Sequence, residues 1–169
     1  LNTYLPEDIG VVRVEEVPER FHSRLNALGK TYRYRVATGE GKNVFERKQI
    51  YLLNQPLDVE AMRLGAALLV GEKDFRGFSS MKKTKKSTVR RLESVKIREL
   101  PGEGEFDFTG NGFLYNMVRI LTGTLLEIGM GKREPESIGK VFQKNDRNLA
   151  GFTAPARGLT LVEVFYPKN

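Results

Sequence analysis

The stretch EFDFTGNGFLYNMVRILTGTLLEIGMGK, residues 105–132, contains the change of pattern that decides the fold. Apolar and polar residues alternate over 105–112, which is typical of a strand with one buried face. From 113 to 129 the residues are mostly apolar, which predicts a long buried helix that ends at Gly129 and Gly131. A strand followed directly by a buried helix predicts a mixed α+β chain.

Further strands are expected from alternating or short apolar runs elsewhere in the chain. They cover residues 9–17, 30–38, 48–53, 87–100 and 158–166. A helix over 56–71 has Asp58 as its N-cap and Gly71 as its stop, and a later short helix has Pro135 in its first turn. No internal repeat or low-complexity linker divides the 169 residues, so we expect one domain or two small lobes that share a core.

The charge balance favours an anionic partner. The chain carries 28 Lys and Arg against 21 Asp and Glu, a net charge of +7, which makes RNA or DNA the first expectation. Because it has no cysteine, it has no disulfide or thiolate metal site, which fits a cytoplasmic protein. No apolar run approaches the roughly 18 residues that a membrane-spanning helix needs. Since the first residue is Leu1 and not Met, we expect a cut or partial chain.

The most basic segment is MKKTKKSTVRR, residues 81–91, which contains no acidic residue. Its cations are Lys82, Lys83, Lys85, Lys86, Arg90 and Arg91. A loop of this composition either contacts nucleic-acid phosphates or is simply hydrated. The net charge favours phosphate contact, so we expect the four lysines to bind substrate.

Two tyrosines alternate with two arginines in KTYRYRV, residues 30–36. Strand periodicity places Tyr32 and Tyr34 on one face and Arg33 and Arg35 on the other. The tyrosines are either core residues beside a hydrated arginine edge or, in the more specific interpretation, a ring offered to an unpaired base.

Arg119 stands among apolar residues of the predicted helix over 113–129. Because a buried guanidinium needs a strong acceptor, we expect it to line a cleft and to face a carboxylate. The alternative is a side chain that extends to the surface. Glu127, two turns along the same helix, and Asp107, in the preceding strand, are candidate partners, and neither lies in a motif that indicates pairing.

His22 is the only histidine, and no cysteine or carboxylate cluster surrounds it in the sequence. We therefore interpret it as a structural or RNA-contacting residue and expect no metal site. No Ser, His and Asp set and no phosphate-binding glycine motif can be assembled from the sequence.

Four long segments of the sequence together carry a resemblance to a known family. They are FHSRLNALGKTYRYRV (21–36), EKDFRGFSS (72–80), GNGFLYNMVRILTGTLLEIGMGK (110–132) and FTAPARGLTLVEVFYP (152–167). In this order they resemble the tRNA pseudouridine synthase A family, and the opening LNTYLPEDIGVVRV (1–14) is similar as well. The resemblance covers essentially the whole chain.

This resemblance implies an isomerase that converts uridine to pseudouridine at positions 38–40 of the tRNA anticodon arm, without a metal or organic cofactor. The base leaves the RNA stack, its N1–C1′ bond breaks, and the uracil turns and rejoins the sugar through C5. In the family, an aspartate in a GRTDAGVH-like motif starts this chemistry. No RTD occurs here, so the resemblance assigns residues 1–169 to the C-terminal lobe, without the nucleophile.

The resemblance also implies roles for individual residues. Arg119 matches the arginine that pairs with the catalytic aspartate. Tyr32 matches the tyrosine that stacks on the target base, and Leu159 matches the aliphatic residue of the pocket wall. His22 and Arg24 match a stretch near the RNA-facing cleft.

The implied fold is the α+β pseudouridine synthase fold, with a mostly antiparallel sheet and helices packed on one face. The chain resembles its C-terminal, ferredoxin-like-related lobe. The family is homodimeric and binds tRNA across both subunits, so we expect tRNA and a second copy as partners. In the alternative hypothesis the chain is a non-catalytic module that binds RNA or assists assembly.

Overall fold

A computed structural model of the chain describes residues 1–39, 44–82 and 85–167. Its strands are β1 (Gly29–Ala37), β2 (Tyr51–Leu52), β3 (Gly71–Asp74), β4 (Val89–Leu100), β5 (Glu103–Gly110) and β6 (Leu159–Phe165). Its α-helices are α1 (Val59–Leu69), α2 (Met117–Gly129) and α3 (Ser137–Lys144). Short 3₁₀ turns lie at Asn2–Tyr4, Arg76–Phe78, Arg147–Leu149 and Ala156–Gly158. The predicted α+β class is confirmed.

The strands form one sheet in the order β2-β1-β5-β4-β3, with β6 also paired to β1. β5 runs along one edge of β1, while β6 and β2 follow each other along the opposite edge. Only the short β1–β2 pair is parallel among these strands, and the other pairs are antiparallel. The mostly antiparallel sheet is as predicted.

The three helices pack on the face of the sheet that carries the alternate apolar residues of β1 and β5. Tyr34 and Val36 on β1 are fully buried there beside Phe106 and Phe108 on β5. The helices contribute Met62, Ala66, Leu69, Ile120, Leu121, Leu125, Ile138 and Val141 to the same core. Burial of these side chains is the main stabilising contribution to the fold.

The opposite face of the sheet is covered by ion pairs. The Arg33 guanidinium makes two bonds to the Asp107 carboxylate, at 2.7 and 2.9 Å, and Arg35 makes two to Glu103, at 2.5 and 2.8 Å. Hydrogen bonding to Asp107 raises the pKa of Arg33. The arginines of KTYRYRV are therefore paired with carboxylates and are not merely hydrated.

One residue is inserted in β4. Leu92 pairs with Gly110 and Ser94 pairs with Thr109, so Glu93 has no partner of its own on β5. This β-bulge reverses the alternation, because Leu92 and Ile97, five residues apart, are both buried. Residues 89–92 therefore follow the opposite alternation to residues 94–100.

One predicted strand is absent from the structure, and one predicted helix begins later than expected. Residues 9–17 form no strand, and Val12 is fully exposed. Alternation alone supplies no hydrogen-bonded neighbour, and β6 and β2 occupy the outer edge of β1. α2 begins at Met117 and not at 113, because Asn116 has a left-handed conformation with φ 58°.

Smaller differences concern the other elements. β2 has two residues where a strand over 48–53 was predicted, and β3 was not predicted as a strand. Pro135 lies in the turn before α3 and not in its first turn. The Asp58 cap of α1 is confirmed, since its side chain accepts a bond from the Ala61 amide at 2.9 Å.

Candidate functional site

A cavity of about 210 Å³ brings together three residues that are far apart in the sequence. Tyr32 enters from β1, Arg119 from α2 and Leu159 from the start of β6. The other wall is the segment between β5 and α2 and the first turn of α2. It contributes Phe113, Leu114, Tyr115, Asn116, Met117 and Val118. The structure thus places three of the predicted site residues around one cavity.

Tyr32 is half-buried because the alternation of β1 places it beside the core but at the cavity. Its ring meets the Phe113 ring edge-on, with centroids 5.2 Å apart and planes at 87°. This geometry holds the tyrosine ring at the cavity. Tyr34, the next residue on the same face, is a core residue and does not line the cavity.

Arg119 is half-buried and lines the cavity from the first turn of α2. Its Nε donates to the Ala154 carbonyl at 2.6 Å, and its Nη1 donates to Asn116 Oδ1 at 3.0 Å. A guanidinium has five N–H donors, so three remain after these two bonds. Arg119 therefore lies in the wall of the cavity, and its pairing with a carboxylate stays a prediction.

The carboxylates suggested by sequence do not meet Arg119. Asp107 binds Arg33 and Arg98 on the far face of the sheet. Glu127 binds Arg133 and accepts a bond from the Phe152 amide. Among residues 1–39, 44–82 and 85–167, no ion pair includes Arg119, so its expected acid partner is not in that part of the chain.

The segment after α3 forms the wall behind Arg119. The Tyr34 hydroxyl donates to the Pro155 carbonyl at 2.6 Å, next to the Ala154 carbonyl that Arg119 binds. Burial raises the pKa of Tyr34 well above its usual value. Two consecutive carbonyls are therefore held by side chains from two different elements.

Glycines allow this wall to approach α2 closely. A Cβ on Gly123 would lie 1.9 Å from the Phe152 carbonyl oxygen, and one on Gly151 would lie 2.6 Å from the Thr124 Cα. The Gly151 amide donates to Thr124 Oγ1 at 2.9 Å. Side chains at these glycines are excluded by contact with backbone, so the wall and the helix are fixed to each other.

A second opening, of about 350 Å³, adjoins the first and shares Phe113 with it. We call it the basic cleft. It is lined by Arg24, Lys30, Val89, Arg90, Asn111, Gly112 and Phe113. Arg24 was predicted to bind substrate. It lines the basic cleft, which is next to the Tyr32 cavity because Phe113 lines both.

His22 lines neither opening. Its Nδ1 accepts bonds from the Arg24 and Leu25 amides at 3.1 and 3.3 Å, and Asn26 bonds with its backbone in both directions. The histidine therefore caps the turn that carries Arg24, and its contact with RNA stays a prediction.

We call the loop that carries the four predicted lysines the lysine loop; they are Lys82, Lys83, Lys85 and Lys86. The residues on either side of it are hydrogen-bonded near the cavity. The Ser80 amide donates to the Tyr115 carbonyl at 3.1 Å, and Thr88 Oγ1 binds Asp74 at 2.6 Å. Lys82, Lys85 and Lys86 are exposed, and Lys83 lies outside the described residues. The described lysines Lys82, Lys85 and Lys86 line neither opening, whereas Arg90, at the end of the same basic segment, lines the basic cleft.

Sequence reasoning missed three residues that the structure places at the site. Lys30 could have been found from periodicity, since it lies two residues before Tyr32 on the same strand face. Phe113 and Asn116 were assigned to a helix that begins only at Met117. An Asn before an apolar run is a recognised left-handed position, which was the available signal.

Neither a metal-binding cluster nor a membrane-spanning helix is found in residues 1–39, 44–82 and 85–167. Across those ranges, no group of three or more His, Cys, Asp and Glu side chains could hold a metal ion. In the same part of the chain, no helix is both long and apolar enough to cross a membrane.

Known proteins match this chain over most of its length. A family model described as tRNA pseudouridine synthase matches residues 66–167. The tRNA pseudouridine synthase A 1 of Bacillus cereus (strain ATCC 10987 / NRS 248) is 44% identical over 98% of this chain and 67% of its own length. The tRNA pseudouridine synthase A of Limosilactobacillus reuteri (strain DSM 20016) is 47% identical over 100% and 67%.

The tRNA pseudouridine synthase A of Halalkalibacterium halodurans is 47% identical over 94% of this chain and 60% of its own length. The chain thus spans about two thirds of the length of these relatives. The family model spans α2 and β6 of the cavity, while β1 with Tyr32 lies outside it and is covered by the match to the Limosilactobacillus reuteri relative. The chain therefore belongs to the tRNA pseudouridine synthase A family.

Proposed function

We propose that residues 1–169 are the C-terminal lobe of an isomerase that converts uridine to pseudouridine in the tRNA anticodon arm. The observation that carries this proposal is the common cavity of Tyr32, Leu159 and Arg119 in a chain of this family. The reaction needs the uracil out of its stack, in a site that excludes water and holds the ring while its glycosidic bond changes.

The cavity suits a single pyrimidine ring. At about 210 Å³, it exceeds the cavity of about 150 Å³ that accepts benzene in an engineered protein. Tyr32 provides a flat surface for stacking, fixed by its edge contact with Phe113. Leu159 supplies an apolar side wall, so the base is bound by its faces.

Arg119 acts on the catalytic carboxylate in this proposal. Its bonds to Ala154 and Asn116 fix the guanidinium and leave N–H groups for an acid. A bidentate pair would orient an aspartate and favour its ionised form where desolvation alone raises the pKa of a carboxylate. That aspartate comes from a lobe outside these 169 residues.

The remaining substrate contacts are electrostatic. Arg24 in the basic cleft and the lysine loop, Lys82, Lys83, Lys85 and Lys86, contact tRNA phosphates, and His22 holds the turn of Arg24. The complete protein acts as a homodimer in the cytoplasm, with tRNA bound across both subunits.

The test uses unmodified tRNA and an assay for pseudouridine. The isolated chain should form none, because positioned groups cannot replace a missing nucleophile. A protein that joins this chain to an aspartate-bearing lobe should form it in the anticodon arm. Product from the chain alone would place the nucleophile within it, and no product from the joined protein would support the non-catalytic module.

A further inference from the structure

The basic cleft differs from the rest of the sheet in its charge balance. Its polar lining consists of Arg24, Lys30, Arg90 and Asn111, with no acidic side chain. Within the described ranges, none of these three cations takes part in an ion pair. On the outer face of the same strands, Arg33 and Arg98 both bind carboxylates. The cleft is therefore lined by three cations without an acidic side chain among its lining residues, whereas carboxylates line the outer face beside Arg33 and Arg98.

The polar groups of the cleft are held in place. The Arg90 Nη1 donates to the Ser87 and Val89 carbonyls, at 3.0 and 2.6 Å. Asn111 Oδ1 accepts a bond from the Arg91 amide at 3.0 Å. Because that amide is a donor, the Asn111 oxygen must face it, and the Asn111 NH₂ group remains to donate elsewhere.

The space between the cations is open because Gly112, which has no side chain, lies in the wall there. Lys30 pairs with Gly110 across β1 and β5, and Gly110 pairs with Leu92 across β5 and β4. Gly112 lies beneath Arg90, whose Nε is 3.5 Å from the point that a Cβ at this glycine would occupy. No side chain therefore fills the cleft between Lys30 and Arg90.

Charge and location together identify the ligand. Three cations and one neutral donor, with no acid, fit an oxyanion. The neighbouring cavity shares Phe113 with the cleft and is proposed above to hold the flipped base. In RNA, the anion that lies next to a flipped base is a phosphate of its own backbone.

We propose that Lys30, Arg90 and Asn111, with Arg24, form a binding site for the one backbone phosphate adjacent to the flipped uridine. The inference rests on the proposed function, because it takes the neighbouring cavity as the uracil site. It assigns to these residues the placement of the nucleotide: the phosphate is fixed in the cleft while the base enters the cavity.

The test compares two double variants of the 169-residue chain with the same change in charge. Lys30→Met with Arg90→Met removes two cleft cations. Arg91→Met with Lys96→Met removes two cations from the outer face of the same sheet and serves as the matched control. The probe is an anticodon stem-loop RNA, and thermal unfolding verifies that both variants fold.

The cleft pair should weaken RNA binding about tenfold more than the control pair, and should lower the slope of log affinity against log salt by about two. A second arm replaces each phosphate near the target uridine in turn by an uncharged methylphosphonate. One linkage should weaken binding to the wild-type chain, and the same replacement should have no added effect on the cleft pair.

Equal losses for the two pairs, or additive losses at every linkage, would overturn the phosphate site while RNA binding itself stands. If the unmodified RNA does not bind the wild-type chain, the proposed RNA function fails, and the phosphate site fails with it. The two failures are therefore distinguished by the wild-type measurement alone.

Discussion

Arg119 and Ala154 bind each other in both directions. The Arg119 Nε donates to the Ala154 carbonyl at 2.6 Å, and the Ala154 amide donates to the Arg119 carbonyl at 3.1 Å. One residue of α2 thus fixes the wall that precedes β6 and at the same time lines the cavity with its remaining N–H groups. Its structural and functional contributions can be separated by measurement.

Arg119→Met in a protein that carries this chain and the aspartate-bearing lobe should reduce the single-turnover rate by about a hundredfold or more, because the carboxylate loses its positioning group. The tRNA dissociation constant should stay nearly unchanged, since phosphate contacts lie elsewhere. The lost bonds should lower the free energy of unfolding by about 1 to 3 kcal/mol.

The matched control for that variant is Arg133→Met. Like Arg119, Arg133 donates to a backbone carbonyl, that of Leu149; its other partner is the Glu127 carboxylate, and it lines neither opening. It should lower stability without lowering the rate. A near-wild-type rate for Arg119→Met would show that this arginine is structural only.

Alanine at all four loop lysines should weaken tRNA binding to a similar degree for different tRNAs and should flatten its salt dependence. The physical reason is that lysines release counterions from phosphates without reading bases. The control removes four lysines from elsewhere in the chain. These are Lys48, Lys132, Lys140 and Lys144. An unchanged slope of log affinity against log salt in the loop variant would show that the loop is only hydrated.

Tyr34→Phe should change the pH dependence of stability. Burial raises the pKa of Tyr34 in the folded chain, while an unfolded tyrosine has a pKa of about 10. The contribution of the protonated hydroxyl is therefore complete below about pH 10 and falls as pH rises above it, because the unfolded chain then releases the proton first. Denaturant unfolding at neutral and alkaline pH should show a smaller alkaline loss in the variant.

At neutral pH the same variant should lose about 1 kcal/mol, the contribution of its bond to the Pro155 carbonyl. Tyr4→Phe, at an exposed side chain, is the control and should leave neutral-pH stability unchanged. Parallel alkaline losses in wild type and Tyr34→Phe would contradict the assignment to this hydroxyl.

Gly123→Ala should destabilise the chain by about 1 to 3 kcal/mol or more, because its Cβ would meet the Phe152 carbonyl oxygen at 1.9 Å. Gly139→Ala is the matched control: no atom lies within 4 Å of its Cβ, and it lies within α3. There alanine should stabilise by up to about 1 kcal/mol. Thermal unfolding of both variants decides whether the close contact, and not glycine as such, is required.

The elements with long periodic patterns were predictable from sequence. β1 follows its apolar alternation, and α2 ends at its predicted glycine. β4 was predicted as a strand, but the bulge within it was not. Residues 9–17 have an equally regular pattern and form no strand, because pairing depends on which sheet edges are available. That property belongs to the tertiary structure and is not encoded in the local pattern.

The site was predictable only in part. Tyr32, Leu159 and Arg119 were indicated by family resemblance, and their common cavity agrees with that grouping. The basic cleft needs the register of three strands to bring Lys30 and Arg90 together. Pairing of the outer arginines with carboxylates is likewise a cross-strand property, so the contrast between the two faces could not be inferred from single segments.

Because of the bulge at Glu93, the residues that line the basic cleft depend on the number of residues in β4. Arg90 and Arg91 are neighbours with the same side chain, and only the register of β4 against β5 decides which of them lines the cleft. A deletion of one residue at this position would keep both arginines in the sequence and exchange their faces, turning Leu92 out of the core as well. In related chains, the length of β4 between Arg90 and Ile97 is therefore as much a determinant of the cleft as the identity of the arginine.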